Sequence, residues 1–231
     1  DGANILTCIC KLLGCKYNLI VSERNTTQIL NIRERIKFFF FRFANHIVPN
    51  SHSQHDFISR HFKHLNKKIT TITNFVDISK FIPNTAKKEI IAPPLRLLTI
   101  GRVVPQKNVL RYIDAIKMAI DNGCDISVKW IGNQSLSEYF EECTRKVKEY
   151  GIECRFEFIS PKTDIIYEYQ QAGAFCLPSV YEGYPNVLCE AMSCGLPVAC
   201  GNICDNATIV KDGVNGVLFN PHDCQDISNE I

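Results

Sequence analysis

Seven residues separate Glu182 from Glu190 in the run Pro178-Ser179-Val180-Tyr181-Glu182-Gly183-Tyr184-Pro185-Asn186-Val187-Leu188-Cys189-Glu190. Gly183 and Pro185 interrupt the backbone between the two acids. Glu182 is therefore expected on a loop and Glu190 inside a helix that opens near Pro185 or Asn186. Both carboxylates then flank one helix N-terminus. Such a terminus attracts a phosphate through its amides and its positive dipole end, and the carboxylates accept hydrogen bonds from hydroxyls. A ligand with a diphosphate between two polyols fits that arrangement. That describes a nucleotide-sugar, with its sugar at one Glu and its ribose at the other; the plainer alternative is a loop carboxylate at Glu182 and a Glu190 that merely favours the first turns of a helix.

A second constellation lies upstream in Leu97-Leu98-Thr99-Ile100-Gly101-Arg102-Val103-Val104-Pro105-Gln106-Lys107. The apolar run reads as a short buried strand, and Gly101 permits a sharp exit or a close backbone approach. Arg102 and Lys107 follow on the same loop. Arg as a planar fork and Lys as a mobile point charge suit a diphosphate, although an isolated pair of this kind is more often a pair of solvated charges.

The elements that must position these residues read as alternating strands and helices. The run 173–179 is a buried strand leading into the acidic loop, and Cys194-Gly195 ends a helix before a strand at 197–200. Strands are also expected at 126–131 and 155–159. A helix is expected from Lys107 to Asn122 with Gly123 as its stop. Another runs to Tyr150 from a capping box at Ser135-Leu136-Ser137-Glu138. That alternation predicts a parallel sheet, whose ligands bind beyond the carboxyl ends of its strands, where both loops lie. The absence of a Gly-x-Gly-x-x-Gly or a Gly-x4-Gly-Lys-Ser/Thr run argues against a dinucleotide oxidoreductase or a P-loop enzyme.

With 45% hydrophobic and 22% charged residues over 231 positions, the chain can bury a core and is not a disordered segment. Residues 1–91 hold 14 basic and 6 acidic residues and residues 92–231 hold 12 and 18, so the halves carry +8 and −6. The composition changes at 81–94, where prolines and polar residues mark a linker between a domain at 1–80 and one at 95–231. The first ten residues read as a strand entered midway and the last few as the start of a helix. Part of the first domain and the closing helices are accordingly expected to lie outside this sequence. The twelve cysteines fall mostly on apolar positions without a Cys-x2-Cys pair, which argues for a reducing cytoplasm and against disulfides or zinc. Three Asn-x-Ser/Thr matches, at Asn25, Asn133 and Asn206, are of a kind that is frequent by chance.

Within the basic part, residues 32–44 combine five phenylalanines with Arg33, Arg35, Lys37 and Arg42. Two readings stand: a helix lying on an anionic bilayer, or a core helix with a charged outer stripe. His52, His55, His61 and His64 form two helical-spaced pairs that read as a solvated face, since no matched carboxylate or Cys completes a metal site. No uninterrupted apolar run of membrane-spanning length is present.

Together the segments resemble the retaining glycosyltransferases of family 4. The Glu-x7-Glu motif of that family falls on Glu182 and Glu190, and its Gly-Arg-x4-Lys segment on Gly101, Arg102 and Lys107. Residues 43–51, 72–77, 201–210 and 212–219 are similar to further parts of the family. The resemblance implies an α/β GT-B fold of two Rossmann-like domains with parallel sheets, the first an acceptor domain, incomplete here, and the second a donor domain. It assigns Arg102 and Lys107 to the donor diphosphate and the departing nucleotide, Glu182 to hydroxyls of the transferred sugar and Glu190 to the ribose. Arg102, Lys107 and Glu182 are thus the catalytic set, and Gly101, Gly183, Tyr184, Pro185, Asn186, Val187 and Glu190 the donor-binding set. The turn 183–186 offers backbone N–H groups.

The implied reaction moves a sugar, with UDP the expected nucleotide, to a glycan or lipid-linked acceptor in surface-polysaccharide assembly. It needs neither metal nor cofactor, and peripheral contact with the inner face of the membrane is expected. The base is placed near Ile159-Ser160-Pro161. Many family members carry a His where Arg24 stands, so the acceptor-side catalytic group is not assigned. A nucleotide-sugar epimerase and a non-catalytic nucleotide-sugar binder are the alternative readings.

Overall fold

Residues 2–24, 26–84, 93–134 and 137–231 are described in the structure, a computed structural model. The expected linker core at 85–92, Asn25 of one sequon and Ser135 of the expected capping box lie outside them. The chain divides into two units: Asp1–Asn74 with Glu182–Tyr184, and Phe75–Tyr181 with Pro185–Ile231.

In the first unit, β1 (Ile20–Glu23) pairs in parallel with β2 (His46–Pro49), with Val21 opposite Ile47. Both side chains are fully buried, as alternation along a strand requires of the inward set. Among the described residues the α-helices of this unit are α1 (Gly2–Leu12), α2 (Ile32–Phe41) and α3 (His52–His61). The N-caps follow from short polar side chains. Asn31 accepts from the Glu34 amide to open α2, and Ser51 accepts from the Gln54 amide to open α3.

Two expectations change here. The first residues form a helix rather than a strand, because Ile5, Cys8 and Ile9 share one helical face and Cys8 is fully buried in this unit's core. α2 ends at Phe41 rather than running to Ala44, and its phenylalanines divide between core and surface. Phe38 and Phe41 are buried in an edge-to-face pair 5.4 Å apart, whereas Phe39 is exposed. Lys37 is buried as well, with its Nζ 2.8 Å from Glu23 Oε2 and 2.6 Å from Glu34 Oε2. Burial raises the Glu23 carboxyl above its ordinary value while Lys37 pulls it the other way. His52, His55 and His61 lie on α3, and His64 in the 3-10 turn that follows, with His55 Nδ1 hydrogen-bonded to Thr71 Oγ1 at 2.8 Å.

The second unit is a six-stranded sheet of β3 (Leu95–Ile100), β4 (Ile126–Ile131), β5 (Phe156–Ile159), β6 (Ala174–Leu177), β7 (Val198–Gly201) and β8 (Val217–Phe219). Every pairing is parallel, in the order β5-β4-β3-β6-β7-β8. Alternate residues feed opposite faces. Leu97, Trp130, Cys176 and Phe219 join one cluster, which includes residues of α4 (Val109–Asp121), α5 (Glu138–Glu149) and α9 (Cys224–Asn229). Leu98, Ile131, Phe175, Leu177 and Cys200 join the other, with residues of α6 (Ile165–Gln171) and α7 (Asn186–Ser193). Helices on both faces explain why these strands are nearly continuous apolar runs.

The short α8 (Asn206–Ile209) lies between β7 and β8. α4 starts two residues later than expected, because Pro105–Lys107 forms a 3-10 turn and Asn108 takes a left-handed conformation at φ 59°. The cap of α5 is Ser137, whose side chain accepts from the Phe140 amide. Phe81, placed in the linker by composition, packs edge-to-face on Tyr169 with ring centroids 5.9 Å apart.

Candidate functional site

The order of the sheet reverses between β3 and β6. From β3 the chain proceeds outward through β4 to β5, and from β6 outward the other way through β7 to β8. The loops leaving the carboxyl ends of β3 and β6 border the crevice where open α/β sheets bind their ligands. These are the loops that carry the Gly-Arg-x4-Lys segment and the start of the acidic motif.

Backbone packing fixes the first loop. Gly101 donates to the Ile131 carbonyl at 2.9 Å, and its own carbonyl accepts from Trp130 Nε1 at 2.8 Å. Gly132 sits against it so closely that a Cβ would lie 2.0 Å from the Gly101 oxygen. The aliphatic stem of Lys107 runs over Gly101, where a Cβ would meet Lys107 Cε at 3.1 Å. Glycine at 101 therefore gives the lysine its path. Arg102 is exposed on the same loop, and Lys107 is half-buried.

Hydrogen bonds tie this loop to the segment after β6. The Val180 amide donates to the Gln106 carbonyl, and Gln106 Nε2 donates to the Tyr181 carbonyl, each at 3.0 Å. Asn108 is buried, and its Nδ2 donates to the carbonyls of Pro178 at 3.0 Å and Pro221 at 2.7 Å. Arg111 Nη1 donates in turn to Asn108 Oδ1 at 2.7 Å. The basic loop is thus held beside residues 178–181.

α7 opens at Asn186 with Pro185 as its N-cap, and Pro185 offers no side-chain acceptor to the first amides. Glu190 lies on α7, half-buried, with Tyr169 Oη 2.8 Å from its Oε2. Burial and then the Glu190 charge push the Tyr169 phenol well above its ordinary value, so this hydroxyl keeps its proton for the carboxylate. Val187 is half-buried in the first turn of the same helix. Ser160 and Pro161 follow β5, two strands from β3.

Glu182, Gly183 and Tyr184 group with the first unit. Glu182 is buried, and its backbone carbonyl accepts from Thr26 Oγ1 at 2.6 Å. The Tyr184 carbonyl accepts from Asn74 Nδ2 at 2.8 Å. Arg24 is exposed just past β1. The structure thus gathers Gly101, Arg102 and Lys107 on one loop tied to 178–181 and sets Pro185, Asn186, Val187 and Glu190 at the start of α7. It joins Glu182 to Tyr184 with residues of the first unit.

Sequence reasoning missed Asn108, Tyr169, Thr26 and Asn74 as positioning groups. Only Asn108 carried a local signal, as an Asn just before a helical pattern. Asn206, one of the sequon matches, is fully buried with its Nδ2 donating to the Gly201 carbonyl. All twelve cysteines are free thiols, and burial pushes those of Cys143, Cys176 and Cys200 up to about 12. Cys8, Cys143, Cys176, Cys194 and Cys200 are buried as small core hydrophobes, whereas Cys15, Cys124 and Cys154 are exposed.

Comparison with known proteins gives a consistent result. A family model described as glycosyl transferases group 1 matches residues 82–231. The chain is 30% identical over 176 residues to a UDP-Gal:alpha-D-GlcNAc-diphosphoundecaprenol alpha-1,3-galactosyltransferase of Escherichia coli, covering 71% of this chain and 44% of that protein. It is 26% identical to the amylovoran biosynthesis glycosyltransferase AmsD of Erwinia amylovora, covering 87% and 56%. The chain therefore spans about half the length of these curated relatives. Among solved structures, HepE of Anabaena in complex with UDP superposes with a TM-score of 0.85 at 21% identity, covering 99% of this chain and 65% of that one. That likeness establishes the GT-B fold.

Proposed function

Because the chain belongs to the glycosyl transferases group 1 family, we propose that the protein it comes from is a retaining glycosyltransferase acting in polysaccharide or glycolipid biosynthesis. Its donor in this reading is a UDP-sugar and its acceptor a glycan or a lipid-linked sugar. The observation that carries the reading is the tie between the basic loop after β3 and the segment after β6, at the point where the sheet order reverses. The named activities of relatives, including the UDP-Gal:alpha-D-GlcNAc-diphosphoundecaprenol alpha-1,3-galactosyltransferase, favour transfer over epimerisation or simple binding.

In this reading Arg102 and Lys107 bind the diphosphate, assisted by the first amides of α7. Glu190 accepts hydrogen bonds from the ribose, and Glu182 from hydroxyls of the transferred sugar. The bond from the anomeric carbon to the β-phosphate oxygen breaks as the acceptor oxygen bonds to the same face. The acceptor proton passes to the departing phosphate, so no protein nucleophile is invoked. The two cations and the helix terminus stabilise the charge that develops on the leaving group, the role a divalent ion has in other transferases. Transfer is accordingly proposed to need no metal.

Peripheral contact with the cytoplasmic face of a membrane is part of the proposal. The exposed side of α2 presents Ile32, Ile36 and Phe39 beside Arg33 and Arg35, with Arg42 at its C-cap, the composition of an interfacial helix face. No helix among the described residues is long and apolar enough to cross a membrane.

The test is to incubate the full-length protein with a panel of nucleotide-sugars, with and without membrane lipid extract and with and without chelator. Release of UDP coupled to a new glycoside of the donor's anomeric configuration, insensitive to chelator, supports the proposal. Epimerised donor without acceptor, or binding without turnover, contradicts it.

A further inference from the structure

A glycine between two peptide groups is the most freely rotating link in a chain, so a loop centred on Gly183 does not by itself fix the side chain before it. The structure supplies the missing constraint on both sides of that glycine. Thr26 Oγ1 donates to the Glu182 carbonyl at 2.6 Å, and Asn74 Nδ2 donates to the Tyr184 carbonyl at 2.8 Å. Gly183 itself rests in a socket in which an added Cβ would lie 3.4 Å from Asn50 Oδ1, 3.5 Å from Thr26 Oγ1 and 3.6 Å from the Arg24 carbonyl.

The donors are anchored in turn. Gln54, fully buried on α3, accepts from the Thr27 amide at 2.7 Å and donates to the Thr27 hydroxyl at 3.0 Å, which holds the residue beside Thr26. The extended segment leading to Asn74 is tied down where the Ile72 amide donates to the Pro49 carbonyl at 3.1 Å. Two part-buried hydrogen-bond relays therefore end on the two carbonyls that flank Gly183.

We infer that Thr26 and Asn74 are positioning residues for Glu182, fixing the backbone on either side of Gly183 so that its carboxylate is presented in one direction. This rests on the reading of Glu182 as the group that contacts the transferred sugar. A carboxylate that reads sugar hydroxyls is effective only when held in place before the ligand arrives, and neither hydrogen bond involves Arg102, Lys107 or Glu190.

The test uses the full-length enzyme and four variants: Thr26→Val, Thr26→Ser, Asn74→Asp and Glu182→Gln, with the double variant Thr26→Val/Glu182→Gln. Thr26→Val removes one hydroxyl at constant shape, and Asn74→Asp sets a carboxylate against the Tyr184 carbonyl. Each is expected to lower transfer by about 10-fold while changing UDP affinity by no more than about twofold. Thr26→Ser restores the hydroxyl and is expected to restore turnover. In the double variant, loss of the hydroxyl is expected to add little to Glu182→Gln, because Thr26 acts through that residue.

Normal transfer in both Thr26→Val and Asn74→Asp, with Glu182→Gln crippled, overturns the positioning role alone. Losses that simply multiply in the double variant, or an equal loss of UDP affinity, overturn it too, since both signify a general structural effect. Normal transfer in Glu182→Gln overturns the inference together with the reading on which it rests.

Discussion

The phenolic oxygen of Tyr169 lies 2.8 Å from Oε2 of Glu190 and 3.2 Å from the Val187 carbonyl, and its one proton goes to the stronger acceptor, the carboxylate. Tyr169 comes from α6 and is fully buried, so it orients Glu190 from the interior. Tyr169→Phe keeps the ring and removes only this restraint. It is expected to weaken UDP and UDP-sugar alike, by about 1 kcal/mol or roughly fivefold, as read by calorimetric titration. Unchanged affinity for both ligands tells against Glu190 as the ribose contact.

Lys107 and Arg102 leave the sheet on a loop whose shape is set by Gly101, Gln106 and Asn108 rather than by the charges themselves. Lys107→Ala and Arg102→Ala should therefore leave unfolding unaltered while costing about 2 to 4 kcal/mol of transition-state stabilisation each. Steady-state kinetics of the full-length enzyme, alongside thermal unfolding, checks both halves. Near-normal turnover in both variants removes the diphosphate assignment.

Asn108 combines a left-handed backbone with a side chain that donates two hydrogen bonds and accepts one. Asn108→Ala strands the Pro178 carbonyl, leaves that of Pro221 only its Arg111 Nη1 donor at 3.3 Å and keeps a Cβ in that conformation, for a loss of about 3 kcal/mol. Asn108→Gly loses the same hydrogen bonds without the backbone penalty and should be more stable than Asn108→Ala by about 1 kcal/mol. Denaturant unfolding compares them, and a Gly variant no better than Ala contradicts the backbone part of this account.

Glu168 is buried between two lysines, with Lys162 Nζ 2.6 Å from Oε1 and Lys129 Nζ 3.0 Å from Oε2. Burial opposes its ionisation, but the two ammonium groups win and hold the carboxyl below its ordinary value of 4.5. A depressed folded-state pKa gives stability that is complete above 4.5 and is lost as pH falls through the folded-state value. Glu168→Gln should cost about 1 to 2 kcal/mol at neutral pH, modest because both lysines are partly exposed and screened. That cost should shrink as the pH is lowered below 4.5. A penalty that stays constant on acidification contradicts the charge-based explanation.

What could be read from the sequence was what is written locally. β3, β6 and the start of α7 were legible because apolar runs there are punctuated by Gly101, Pro178, Gly183 and Pro185, and the two charged loops follow from those strand ends. α1 was not legible, since a short apolar run carries no period that separates helix from strand until Cys8 finds its neighbours. The late start of α4 followed from one residue, Asn108, adopting a conformation that a helical pattern does not announce. The burial of Lys37 depended on Glu23 and Glu34, and the tether on Glu182 on a threonine 156 positions away. Such contacts are tertiary and leave no mark in spacing.

The central claim is that the loops after β3 and β6 hold the diphosphate of a nucleotide-sugar. Crystals of the full-length protein soaked with a UDP-sugar test it most directly. The account predicts density for the diphosphate within hydrogen-bonding distance of Arg102 and Lys107 and against the first turn of α7, with the ribose on Glu190. Ordered nucleotide bound elsewhere, or a diphosphate out of reach of both cations, would contradict it.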